Sequence, residues 1–116
     1  MSKWVDVGPV DEFPHGCQQC LRAEETPVVV FNIDGTHRAI LNVCPHAGMP
    51  LGQGTVAGKI ITCPFHGYSY NVETGRNIDF PDQEPPVPTY DLRITDAGRV
   101  EVEVPVREQK TQPPPP

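Results

Sequence analysis

Apolar positions along the chain fall into short runs rich in β-branched residues, and each run is closed by a turn signal. Short runs bounded by Gly, Pro or Asp read as strands, and no window holds the sustained i, i+3, i+4 stripe of a helix. Trp4-Val5-Asp6-Val7, closed by Gly8-Pro9, predicts a first strand, and Cys17 to Ala23 a second, of unusually polar content. Val28 to Ile33 and Thr36 to Val43 flank Asp34-Gly35, the two-residue signature of a type I′ hairpin. Further strands are expected at Gly58 to Thr62 and Tyr68 to Val72, the latter followed by a turn at Glu73-Thr74-Gly75. A last hairpin pairs Tyr90 to Thr95 with Arg99 to Val104 across Asp96-Ala97-Gly98. The expected fold class is all-β.

Composition sharpens this picture. Fifteen prolines and ten glycines in 116 residues are a heavy load of helix breakers, and the length suits one domain. Barrel enzymes of about 250 residues are excluded. Pro81 to Pro88 carries four prolines and must be an extended loop. Residues 105–116 end in four consecutive prolines without an apolar anchor, so a disordered tail is expected there, with 1–104 as the folded domain. A net charge of −6 argues against nucleic acid, whose phosphates need clustered Lys and Arg, and predicts that a charged partner presents a basic surface. No apolar run approaches the ~20 residues that span a bilayer, and the start Met1-Ser2-Lys3-Trp4 has no secretory pattern. The expected address is the cytoplasm, where four cysteines read as thiols or metal ligands rather than disulfides.

Two short loops concentrate the chemistry. One reads Cys44-Pro45-His46-Ala47-Gly48-Met49-Pro50 and the other Cys63-Pro64-Phe65-His66-Gly67-Tyr68. Each offers one thiolate and one imidazole, and sixteen residues between His46 and Cys63 suffice for a hairpin that returns the chain to the same end of a sheet. Two Cys and two His suit tetrahedral zinc or iron and sulfide. A C₂H₂ zinc finger would place both Cys on one knuckle; here each loop carries one of each. That mixed pairing suits a centre with two unlike irons, one held by Cys44 and Cys63 and one by His46 and His66, as in the [2Fe–2S] cluster in which two His replace two Cys.

The spacing Cys-x-His, sixteen residues, Cys-x-x-His resembles the Rieske ligand motif, and the match runs over roughly residues 3–104. It is most similar to the small Rieske ferredoxins of aromatic ring-hydroxylating oxygenases. The resemblance implies antiparallel β-sheets with a small cluster-binding subdomain, loops 44–50 and 63–70 as the cluster-binding loops, and the 81–88 loop as a cover. It implies one [2Fe–2S] cluster per chain and one-electron transfer from a flavoprotein reductase to a terminal oxygenase, as a component rather than an autonomous catalyst. A second reading is the small subunit of a nitrite-reductase-like complex, which a large sirohaem partner would reveal. A third is a zinc-holding interaction module.

Departures from other Rieske branches matter. Where respiratory Rieske proteins carry a disulfide pair, this chain has Met49 and Phe65, and where they place a Ser that bonds cluster sulfide it has Tyr68. Losing a hydrogen bond to sulfur disfavours the reduced state, which places the potential toward ~−150 mV. Tyr70 opposes this, because it stands where the high-potential branch keeps a Tyr on a ligand sulfur. Pro45, Met49, Pro50, Phe65 and Tyr68 would form an apolar docking patch or pack over the cluster.

The remaining candidates have plainer readings. Cys17 and Cys20 are three apart on a strand, so their sulfurs should diverge to opposite faces. His37 is expected to be exposed, and His15 and His37 do not form the two-His-one-carboxylate site of a catalytic iron. Gly52-Gln53-Gly54 has no following helix and reads as tight turning. Asp79, Asp82, Glu84 and Asp91 read as solvated charge.

Overall fold

The computed structural model describes residues 2–44, 50–64 and 67–105. Among these, ten strands form three antiparallel sheets. The first sheet is ordered β1-β10-β9, from Ser2–Pro9, Arg99–Pro105 and Leu92–Ile94. The second is β2-β3-β4-β8, from Gln18–Ala23, Thr26–Ile33, Thr36–Leu41 and Thr89–Tyr90. The third, β5-β6-β7, uses Thr55–Ala57, Ile60–Thr62 and Ser69–Asn71. This is the all-β class, with a small third sheet beside the two larger ones.

The second sheet is buried on both faces at β3, where Val28, Val29, Val30 and Phe31 are all fully buried. Successive side chains on a strand point to opposite faces, so this continuous apolar run feeds two cores. Val28 and Val30, with Ala39, meet Val100, Val102 and Val104 of β10, whose alternation buries one face of the first sheet. Val29 and Phe31, with Ile40, meet Ile61 and Tyr70 of the third sheet. The third sheet therefore rests on the back of a β-sandwich.

The hairpin between β3 and β4 follows the expected turn. Asp34 and Gly35 both have positive φ, 54° and 86°, as a type I′ turn requires, and Ile33 pairs with Thr36. Four expectations need correction. The strand expected from Tyr90 to Thr95 is two strands in different sheets: Tyr90 pairs with Ala39, while Leu92 pairs with Val102. The strand expected from Gly58 is a hairpin whose first arm, Thr55–Ala57, precedes Gly58 and pairs with Ile60–Thr62. The first strand continues through Gly8-Pro9 past a bulge, and its Ser2 pairs with Pro105. Pro105 thus belongs to β10 rather than to a tail, and residues 106–116 lie outside those described. No helix among the described residues is long and apolar enough to cross a membrane.

Candidate metal centre

Cys44 lies three residues beyond β4, and Cys63 directly follows β6. The fold brings both thiols into one core, 0% and 1% exposed, with Leu51, Ile61, Tyr70, Val72 and Val87 around them. Neither is in a disulfide. Among the described residues, the second loop is a tight reversal: the Cys63 N–H donates to the Tyr68 carbonyl at 2.7 Å, and the Gly67 N–H to the Cys63 carbonyl at 3.0 Å. His46 and His66 lie outside the described residues, as do Pro45, Met49 and Phe65 of the expected docking patch. Pro50 and Tyr68 of that patch are half-buried, and the Tyr68 ring meets Phe80 edge-on at 5.6 Å.

The first loop is clamped where it leaves the centre. Leu51–Gln53 forms a single 3₁₀ turn with Leu51 in the core. The Gly52 N–H donates to Asn42 Oδ1 at 2.7 Å, tying together residues on either side of the loop. Gln18 Nε2 donates to the carbonyls of Gly52 and Gly54, at 2.8 and 2.7 Å. This explains the polar content of β2, and the only sequence sign of it was a glutamine in a strand-like run. Gln18→Ala removes two bonds to partly buried carbonyls and is expected to cost roughly 1–3 kcal/mol, read as a lower Tm with the sheets intact.

The proline segment is pinned to the same region. The Val87 N–H donates to the Gly75 carbonyl at 2.8 Å, the Leu41 N–H to that of Pro88 at 2.9 Å, and Val87 enters the core that holds Cys44 and Cys63. Asp79, expected to be merely solvated, accepts the Ser69 N–H at 2.8 Å and caps the start of β7.

Tyr70 is fully buried, with its Oη 3.7 Å from Cys44 Sγ. Burial first, and then the neighbouring Cys44, hold the hydroxyl protonated far above the usual phenol range. Tyr70 therefore faces Cys44 as a neutral hydroxyl, which is able to donate its O–H. Asn77, which the sequence did not flag, is buried beside it, paired to Tyr70 by an isolated antiparallel bridge.

The other candidates separate from this centre. Cys17 packs in the sandwich core, whereas the Cys20 sulfur lies against Gly52 on the opposite face. The divergence expected of the pair is present, and burial pushes the Cys17 thiol up, away from a reactive thiolate. His37 is half-buried rather than exposed, because its Nε2 bonds the Phe13 carbonyl at 3.1 Å. His15 instead meets Asp34, at 3.3 Å.

A family model described as the Rieske [2Fe-2S] domain matches residues 3–91. The chain belongs to the Rieske [2Fe–2S] domain family. It is 33% identical over 104 residues, 90% of this chain and 94% of its relative, to an anthranilate 1,2-dioxygenase ferredoxin subunit of Burkholderia cepacia. The Sphingomonas yanoikuyae B1 ferredoxin superposes with a TM-score of 0.76 at 32% identity, covering 89% of this chain and 100% of that one. A protein from Mycobacterium tuberculosis assigned as an NADH-dependent nitrite reductase small subunit gives a TM-score of 0.79 over 92% and 99% of the two chains. Its 24% identity carries the fold alone.

This Rieske domain is an electron carrier built around one [2Fe–2S] cluster. Its described residues fit that group. Two thiols outside any disulfide converge in an apolar core, a neutral hydroxyl faces one of them, and the Asn77 Nδ2 is buried without a hydrogen-bond partner.

Proposed function

We propose that this Rieske domain is the ferredoxin of a ring-hydroxylating oxygenase system, acting in the cytoplasm between a flavoprotein reductase and a terminal oxygenase. Cys44 and Cys63 hold one iron of the cluster, and His46 and His66 the other. The observation that carries this reading is the convergence of Cys44 and Cys63, nineteen positions apart in the chain, in one apolar core. Relatives that carry the ferredoxin function over nearly their whole length support the choice of partners.

When bound, the cluster supplies a one-electron couple. The chain does the rest. Leu51, Ile61, Val72 and Val87 exclude water from the thiolate side, so nearby dipoles act at low dielectric. Tyr70 directs its O–H at Cys44 and so favours the more negative, reduced state. The Gln18 and Asn42 clamps hold Gly52 and Gly54, the segment that follows the first loop.

Electron paramagnetic resonance after dithionite reduction, with iron and sulfide analysis of the same sample, tests the ligand set. The expected result is the rhombic signal of a mixed Cys/His [2Fe–2S] centre with two irons and two sulfides per chain. A colourless protein holding a single zinc would overturn it. Turnover of a reconstituted ring-hydroxylating system tests the partner: oxygenase product should depend on this chain. Co-purification with a large sirohaem protein, with no such dependence, would assign it to a reductase complex instead.

A further inference from the structure

Asn77 is 1% exposed, yet its Nδ2 meets no hydrogen-bond acceptor. The amide cannot be turned around to cure this. Its Oδ1 accepts the Phe80 N–H at 2.7 Å, which fixes the oxygen on that side and leaves the NH₂ facing away. Native cores pair nearly all such groups, and an exception calls for an explanation such as a redox role or a partner outside the polypeptide.

The neighbour of Asn77 supplies one. Asn77 and Tyr70 are directly opposed in an antiparallel bridge, so their side chains project from the same face. Both side chains are buried, and the NH₂ of Asn77 is the unpartnered polar group on the face that the two share. The Tyr70 hydroxyl, in turn, lies 3.7 Å from Cys44 Sγ. Amide, hydroxyl and ligand sulfur thus form a buried row.

Resting on the ligand set proposed above, we infer that Asn77 is a positioning residue for the redox centre: its amide dipole acts on the Tyr70 oxygen, directs the Tyr70 O–H toward Cys44 Sγ, and raises the reduction potential. Reduction makes the cluster with its ligands more negative as a whole, and donors to a ligand sulfur stabilise that charge. A donor aimed at the hydroxyl oxygen polarises it and strengthens the bond its own hydrogen makes.

The test is a redox titration of the cluster-loaded protein, followed by paramagnetic resonance, in wild type, Asn77→Ser, Tyr70→Phe and the double variant. Serine can still accept the Phe80 N–H three residues on, as helix-capping serines do, but cannot reach Tyr70. Asn77→Ser is expected to shift the reduced-to-oxidised ratio at a set potential by about tenfold toward the oxidised form, a lowering of about 59 mV for one electron. In the Tyr70→Phe background the same substitution should change nothing further. An unchanged potential in Asn77→Ser, or two effects that simply add, would overturn the proposal. Should Asn77→Ser fail to fold, Asn77→Thr keeps a neutral acceptor for the Phe80 N–H and fills more of the space, and must also lower the potential. A wild-type protein that gives no mixed-ligand signal after reconstitution would defeat the ligand set itself, whereas a normal signal with an unmoved potential would defeat only the role of Asn77.

Discussion

Cys63→Ala is expected to abolish the cluster. The variant should lose its colour, its paramagnetic signal and both irons, and its reduction by a flavoprotein reductase should fall to background. Cys63 is 1% exposed and follows β6 directly, so no solvent ligand can take its place without opening the core. Alanine is also the smaller residue, and the apolar wall of Ile61, Tyr70 and Val87 closes over it at modest cost. The sandwich core of Val28, Val30, Val100 and Val102 lies on the other face of the second sheet and does not depend on this site. Circular dichroism should therefore still report β-structure, with a lower Tm because the metal no longer binds the native state alone. The matched control is Cys20→Ala. Cys20 is an exposed free thiol on the same face as the centre but packed on Gly52, and its loss should leave the signal unchanged. Equal loss of the cluster in both variants would show that the ligand assignment is wrong.

The largest purely structural effect is expected at Gly75. Its φ is +80°, and a Cβ there would lie 2.0 Å from the carbonyl oxygen of Val87. The obstacle is backbone, held in place by the Val87 N–H bond to the Gly75 carbonyl at 2.8 Å, so it cannot rotate aside. Gly75→Ala combines the left-handed penalty of about 1–2 kcal/mol with an overpacking cost of about 1–3 kcal/mol. The sum is a large share of the ~5–15 kcal/mol that stabilises a domain. Thermal unfolding should show a Tm lower by at least ~10 °C. The lesion should also loosen the centre, because Val87 is the residue through which the proline segment enters the core of Cys44 and Cys63. A cluster that persists at wild-type lifetime in a destabilised Gly75→Ala would show that the segment does not shield it.

The chain's local chemistry determined a good deal by itself. The Asp34-Gly35 turn was legible because a type I′ hairpin needs two positive φ angles, and that pair supplies them at low cost. The β class followed from turn residues that interrupt every apolar run, and the family from two Cys/His loops whose spacing is written in consecutive residues. What escaped the sequence was long-range. A run from Tyr90 to Thr95 looks like one strand, but its two ends pair with Ala39 and Val102 in different sheets, and only the assembled edges decide where it breaks. Gln18 reaches Gly52 and Gly54 more than thirty positions away, so nothing near it in the chain marks it as a clamp. Nothing in the sequence marks Asn77 until the bridge to Tyr70 buries it. Spacing along the chain thus carried the donor types, since those depend on neighbours in sequence. Burial, and with it the dielectric and the hydrogen bonds that tune a redox centre, arose only when distant segments packed, and those were the tertiary structure's to decide.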